Sequence, residues 1–468
     1  MKRYLASQAL LPDGWRSDVR IDVDATGNIV DVATDHRSAT PEDVECLDGP
    51  VLPGMANLHS HAFQRAMAGL AETRGAGEDD FWSWRERMYR FVLRLTPDDA
   101  FAIARFLYLE ALRNGYTAIA EFHYVHHRPD GAPYPQPAEM LLRHLQAARE
   151  VGIGVTLLPS LYRWSNFGGQ PLAPRQRRFD TGPEAVLRMV EAARYAAGDD
   201  ADVRVGVAPH SLRAADPASI AALIAGVDAI DARAPIHVHA AEQTKEVDDC
   251  LAATGQRPVE WLLSNFPIDA RWCFIHATHM DARETLALAR SGAVAGLCPT
   301  TEANLGDGLF PMLDFRAAGG AYGIGGDSHV SRDPAEELRW LEYGQRLSLQ
   351  RRNLIVGGEG EGGYRGPAVG TTLWAEAADG GARAMGRAMG AIAPGRRADL
   401  VELDAAAPDL YGRSGDAITN ALVFSGSSGL VRNVMVGGRW RVRDRRHRLD
   451  EEAARDYRRV VGRLLVEG

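Results

Sequence analysis

Eight short, nearly continuous apolar runs recur through the middle of this chain, each followed by a longer amphipathic stretch: Val51–Leu58, Thr117–Phe122, Gly154–Leu158, Val203–Ala208, Ile236–Ala240, Cys273–His276, Ala293–Leu297 and Tyr322–Gly325. Strands buried on both faces lose the usual polar alternation and read as unbroken apolar runs, which is the signature of a parallel sheet covered by helices. Strands that alternate with helices give parallel crossovers, and eight of them satisfy a (β/α)8 barrel. The intervening stretches carry helix signals. Thr96-Pro97-Asp98-Asp99 offers a cap, a proline at the first helical position and acidic residues in the first turn, and Gly115 supplies a stop.

The two ends of the chain read differently. Arg3–Leu5, Val19–Val23 and Asn28–Val32 are short strands, with Gly27-Asn28 as a turn between two of them. A related pattern returns at Asp399–Leu403, Ala421–Phe424, Asn433–Val436 and Trp440–Val442, with Gly437-Gly438 as a hairpin turn. The expected architecture is therefore α/β. A catalytic barrel over residues 52–389 carries a small β-sandwich domain built from both termini, residues 1–51 and 390–468. Asp450 before Glu451 and Glu452, then apolar residues at helical spacing from Tyr457 to Leu465, predict a C-terminal helix in the small domain. Gly357–Gly363 reads as a loop.

Composition narrows the class. The net charge is −9 over 468 residues, which excludes a broadly cationic nucleic-acid surface. Cys46, Cys250, Cys273 and Cys298 are too few and too dispersed to form a disulfide framework. No apolar run reaches the roughly 18 residues of a membrane span, and the start of the chain lacks the apolar core of a signal peptide. A soluble cytoplasmic enzyme is the expectation, with no nucleic-acid or membrane partner.

The chemistry lies where the strands end. His59-Ser60-His61 closes the first run, and alternation turns both imidazoles to one side. His239 closes the fifth within His237-Val238-His239-Ala240-Ala241-Glu242, His276 closes the sixth, and Asp327-Ser328-His329 follows the eighth. In a barrel these ends converge on one face. A single histidine at a strand end is usually only hydrogen-bonded, but HxH, HxHxxE, a sixth-strand His and an eighth-strand Asp in order form a set. Three neutral imidazoles and a carboxylate suit zinc or iron. His237 lies deeper, as packing; His329 is placed to orient Asp327; His123, His126, His127 and His279 have no comparable partners.

PGMANLHSH, HVHAAEQ, the sixth-strand His and GGDSH resemble the amidohydrolase superfamily over nearly the whole chain, including the late PGRRADLVELD. Members with two metals commonly bridge them by a carboxylated lysine at the end of strand four. This chain has only Lys2 and Lys245, and its fourth run ends Ala208-Pro209-His210-Ser211. The resemblance then implies a mononuclear deaminase. One divalent metal, Zn²⁺ by preference over Fe²⁺ or Mn²⁺, sits on His59, His61, His239 and Asp327 and makes water acidic near neutral pH. Asp327 accepts a proton from that water, Glu242 carries one to the departing nitrogen and His276 stabilises the adduct.

HSHAFQRAMAGLAE, DDFWSWRERMY, AEFHYVHH and APHSLR resemble the formimidoylglutamate deiminase family, which hydrolyses N-formimino-L-glutamate to N-formyl-L-glutamate and ammonia in histidine degradation. The resemblance implies Gln64, Arg85, Tyr124, His210 and Arg213 around a small dicarboxylate substrate, and a homodimer is common in that family. Guanidinium forks suit carboxylates. Two other readings remain open at this point. A purine, pterin or triazine deaminase would use the same metal shell with Phe81, Trp82 and Trp84 for stacking. A barrel without catalysis would serve as an assembly protein.

Overall fold

The apolar runs become the strands of a parallel barrel. In the computed structural model, which describes residues 1–34, 44–74, 79–358 and 364–466, the strands are Met55–Ser60, Tyr116–His123, Gly154–Leu161, Val203–Val205 resuming at Ala208–Pro209, Ile236–Ala240, Trp272–His276, Val294–Leu297 and Ala321–Ile324. The first four hydrogen-bond into one parallel sheet and the last four into another. Parallel bridges cross both seams, Val207 to Ile236 and Ser211 to His239 on one side and Ser60 to Asp327 on the other, so the strands form a ring. Most are buried along their full length, which explains their unbroken apolar sequence.

Three expectations change. The run Val51–Leu58 is two strands, because the chain crosses at Gly54 from one sheet to the other. A Cβ at Gly54 would lie 2.2 Å from the Thr117 hydroxyl, so only glycine passes there. Val51–Pro53 pairs with Leu400–Leu403 in the terminal sheet, and Met55–Ser60 enters the barrel. The fourth run breaks between Val205 and Ala208, where Val207 N–H donates to the Pro235 carbonyl at 3.0 Å. Ala421–Phe424 is not a strand but the end of the helix Asp416–Phe424. Four apolar residues carry no period, and Ile418 and Thr419 upstream bury on the same side against the helix Val369–Ala384.

Both termini build one hydrogen-bonded sheet in the order Arg439–Val442, Val431–Val436, Leu400–Leu403, Val51–Pro53, Lys2–Leu11, Gly14–Val23, Ile29–Ala33, with Val44–Leu47 also pairing with Lys2–Leu11. Tyr4, Ile21, Val51, Leu400 and Met435 share its core. The C-terminal helix Asp450–Val466 docks on the barrel's outer helix Pro97–Arg113, not on this sheet. Tyr457 stacks on Phe106 at 4.4 Å, and Arg105 reaches Glu452 and Asp456 at 3.1 and 2.5 Å. The helix Pro97–Arg113 starts as expected, with Thr96 and Asp99 in a reciprocal cap. The four cysteines are unpaired. Among the described residues no helix is long and apolar enough to cross a membrane. Of the loop expected at 357–363, residues 359–363 lie outside the described residues.

Candidate metal and substrate site

At the C-terminal mouth of the ring, four ligand atoms from both half-sheets face a common point. His59 Nε2 lies 3.2 Å from His239 Nε2 and 3.3 Å from an Asp327 oxygen, and His61 Nε2 lies 3.5 Å from that same oxygen. A first-row cation with bonds of about 2.0–2.2 Å in tetrahedral array requires ligand separations of about 3.3–3.6 Å, so the set fits one ion. The other ring nitrogens support this use. His61 Nδ1–H donates to the Phe122 carbonyl at 2.8 Å and His239 Nδ1–H to the His210 carbonyl at 2.9 Å, which leaves each Nε2 lone pair facing the centre. His59 lacks such a bond and is held by edge contacts with Phe122 and His276. Burial pushes His59 and His239 well below the ordinary imidazole range and lowers His61, so all three are neutral.

The backbone is bent to achieve this. Ala241, His276, Ala277, Asp327 and His329 all have positive φ, at 52°, 65°, 49°, 46° and 60°. Such conformations cost on the order of 1–3 kcal/mol each and persist where packing enforces them. Gly325 makes room beside the first ligand: a Cβ there would come within 2.8 Å of the His59 backbone nitrogen.

Glu242 and His276 stand next to the ligands. His276 Nε2 lies 3.7 Å from a Glu242 oxygen and 3.9 Å from Asp327, with no hydrogen-bond partner of its own. Its Nδ1–H donates to Glu302 at 3.2 Å. Burial pulls this imidazole down, but Glu242, the bond to Glu302 and Asp327 outweigh it and raise His276 to about 10, so a protonated ring presents Nε2–H to the site. Burial raises the Glu242 carboxyl above its usual range, against the pull of His276 and Arg213. Glu302 escaped the sequence reading because it sits in the helix Pro299–Leu305, beyond the seventh strand, where alternation gives no guide.

All five expected substrate contacts line one cavity with His61, His239 and Asp327. Gln64 donates from Nε2 to the Tyr124 hydroxyl at 3.0 Å, and its buried carbonyl oxygen has no hydrogen-bond partner among the described residues. Burial, with Arg213 and Arg85 adding to it, holds His210 neutral. Arg213 is not free: its Nη2 donates to Glu242 at 3.3 Å, and its Nε is 3.8 Å from Glu246. Arg85 donates to the Tyr162 hydroxyl at 2.9 Å, and among the described residues it makes no direct ion pair with a carboxylate. Both guanidiniums flank Trp82, at 5.6 and 5.9 Å from its ring. Phe81 and Trp84 also line the cavity.

His329 does not orient the Asp327 carboxylate. Its Nε2 bonds to Ser60 Oγ at 2.8 Å, because the turn after Asp327 swings it behind the HxH segment. His237 is packing, bonded to the Ala384 carbonyl at 2.8 Å. Tyr162 was also missed, although it directly follows the third strand and the strand-end logic that found the histidines reaches it.

Residues 51–441 match the amidohydrolase family model, and residues 1–45 match the model of the N-terminal domain of formimidoylglutamate deiminase HutF. The chain is 52% identical over 468 residues to a formimidoylglutamate deiminase of Pseudomonas aeruginosa, covering 99% of this chain and 100% of that one. It is 30% identical to a 5-methylthioadenosine/S-adenosylhomocysteine deaminase of Natronomonas pharaonis, over 94% of this chain and 93% of that one. The crystal structure of an amidohydrolase from Brucella melitensis superposes with a TM-score of 0.92 at 45% identity, covering 99% and 100% of the two chains. A zinc-bound adenosine deaminase from Xanthomonas campestris shares the fold, with a TM-score of 0.81 at 19% identity over 99% and 98%. The chain belongs to the amidohydrolase family and, within it, to the formimidoylglutamate deiminases.

Proposed function

We propose that this enzyme hydrolyses N-formimino-L-glutamate to N-formyl-L-glutamate and ammonia, with one Zn²⁺ held by His59, His61, His239 and Asp327. The observation that carries the reading is the cavity wall beside the proposed ligands, where two guanidiniums face the same space and Arg85, among the described residues, makes no direct ion pair with a carboxylate. A buried cation without a counter-ion is costly unless the ligand supplies one, and this substrate brings two carboxylates.

The bound cation supplies Lewis acidity that makes water acidic near neutral pH. The chain's own groups do the rest. Arg213 and Arg85 hold the carboxylates, and the free Gln64 carbonyl accepts from the amidine N–H. Asp327 takes a proton from the attacking water, and His276 Nε2–H faces the oxygen that gains charge. Glu242 passes a proton to the nitrogen that leaves as ammonia, while the C=N carbon becomes the formyl C=O. A substrate carboxylate arriving at Arg213 competes with Glu242 for the guanidinium, so binding leaves Glu242 the stronger base.

The aromatic wall of Phe81 and Trp84 favours a second reading, a planar purine, pterin or triazine. Ammonia release across formiminoglutamate, guanine, cytosine, S-adenosylhomocysteine and a simple formamidine separates them. Formiminoglutamate should be turned over, and Arg213→Met should cost it roughly ten- to several-hundred-fold in kcat/KM, the value of a charged hydrogen bond. The neutral formamidine should barely change. Release from a heterocycle alone, or equal losses on both substrates in the variant, overturns the assignment. With this reading goes a cytoplasmic homodimer that acts on a free small molecule, without nucleic-acid or membrane partners.

A further inference from the structure

The short helix Pro299–Leu305 and the loop after it reach both groups that handle protons in the reading above. Glu302, in the helix, accepts from His276 Nδ1–H at 3.2 Å and from Cys298 N–H at 2.9 Å. Asp307, in the loop, donates its own N–H to the Glu302 carbonyl at 2.9 Å and is only 4% exposed. Gly306 and Gly308 flank it at φ of 71° and 130°, a backbone path that residues with a Cβ rarely follow. One Asp307 oxygen accepts from Nε2 of Gln243, the residue directly after Glu242, and the other is buried with no hydrogen-bond partner among the described residues. Burial, with Glu242 next, pushes this carboxyl up to about 9, so near neutral pH it is an uncharged acid.

Gln243 is an odd residue for its place. It caps the helix Thr244–Thr254, where Ser, Thr, Asp or Asn would bond the free N–H groups of the first turn, yet its side chain makes no such bond. Its amide reaches Asp307 instead. From its own helix, Glu246 accepts from Glu242 N–H at 3.1 Å. The turn that carries Glu242 is therefore held from within by Glu246 and from beyond the seventh strand by Asp307. It needs holding, because Ala241 just before it has a positive φ of 52° that only its surroundings can enforce.

We propose that Asp307 is a positioning residue for the reaction: through Gln243 it fixes the turn that aims the Glu242 carboxylate at the departing nitrogen. The inference rests on Glu242 as the proton carrier in the reading above. Leu305 of the same segment lines the cavity, while Asp307 is bonded to Gln243, so losing Asp307 should affect turnover more than substrate binding.

The test is steady-state kinetics on formiminoglutamate of Asp307→Ala, Asp307→Asn and Gln243→Met, each in the wild-type and in the Glu242→Gln background. In the wild-type background, Asp307→Ala and Gln243→Met should each lower kcat roughly ten- to a hundredfold with KM within about threefold, as expected when a reacting group is displaced. Asp307→Asn keeps an uncharged side chain with an oxygen for Gln243 and should retain at least about a third of kcat. With Glu242 already replaced, the same substitutions should lower kcat by less than about twofold, because the group they position no longer carries a proton. Thermal melting and metal content report folding, and Gln243, which is only half-buried, tests the link should Asp307→Ala not fold. A kcat within about twofold of wild type in Gln243→Met, or equal fold losses in the two backgrounds, overturns the inference. A Glu242→Gln enzyme as active as wild type instead overturns the role of Glu242, so the two failures are distinct.

Discussion

Glu242 illustrates how a single residue's surroundings set its task. It lies three positions past the ligand His239, after Ala241 has turned through a positive φ, and its two oxygens meet different partners: His276 at 3.7 Å and Arg213 at 3.3 Å. Burial favours its protonated form while His276 and Arg213 favour the anion, and the balance leaves the carboxyl above its ordinary range, as suits a group that passes protons. Glu242→Gln preserves shape and hydrogen-bonding capacity but cannot exchange protons. Turnover should fall at least ~10²-fold, with metal content unchanged because Glu242 donates no ligand atom. A variant keeping more than half of wild-type turnover would remove Glu242 from proton transfer. Parity and order along the strands picked out His59, His61, His239, Asp327, Glu242 and His276, which the structure brings together at one mouth. Tyr162, which follows a strand end, was legible by the same rule and overlooked. Glu302 and Asp307 carry no such signal, since their places depend on how a loop or short helix folds back over the mouth.

At the scale of elements, the first barrel strand depends on the second. Ser60, between His59 and His61, donates to Glu121 at 2.8 Å while accepting from His329 at 2.8 Å. Glu121 also accepts from Ala62 N–H at 2.9 Å and Tyr108 at 3.1 Å, so one carboxylate clamps the chain on both sides of His61. Replacing it by Gln puts an NH₂ against donors that need an acceptor. Metal affinity, measured by competition with a chelator, should drop about 10- to 100-fold in Glu121→Gln, as is usual when support behind a ligand is lost. An affinity within twofold of wild type would show that the HxH turn holds itself. Elements were legible where a run was long enough to show its period, as in Ile236–Ala240 and the capped helix Pro97–Arg113. They were not where one run serves two sheets, as at Gly54, or where four apolar residues end a helix whose polar start hides its period, as at Ala421–Phe424. The docking of the C-terminal helix onto the barrel is a long-range choice, settled by Arg105 and Phe106 some 350 positions earlier, and amphipathic spacing alone says nothing of the partner.

Across the whole molecule, the proposed metal site sits where the ring is least continuous. Among the described residues, the sheet of strands one to four and the sheet of strands five to eight are joined by isolated bridges, and the eighth-to-first seam rests on Ser60–Asp327 with the bonds from His61 N–H to the Asp327 carbonyl at 3.1 Å and from Asp327 N–H to the His59 carbonyl at 2.9 Å. The proposed ligands come from both halves: His59 and His61 from the first, His239 and Asp327 from the second. One cation held by all four, as proposed, would tie the two half-sheets together, in addition to any part in the chemistry. Metal that binds only the folded chain stabilises it by about 2.7 kcal/mol at a free concentration one hundred times its Kd. Chelation should accordingly lower the melting temperature by at least ~3 °C, and titration back should restore it with one equivalent. The gain should also be local: amide hydrogen exchange at residues 57–61, 236–240 and 325–329 should slow on metal addition, while the terminal sheet, which contributes no ligand, should be unaffected. Two tightly held equivalents would contradict the mononuclear centre. Uniform protection across both sheets would mean that the metal tightens the whole fold, and a melting temperature indifferent to metal would show that the seams close without it.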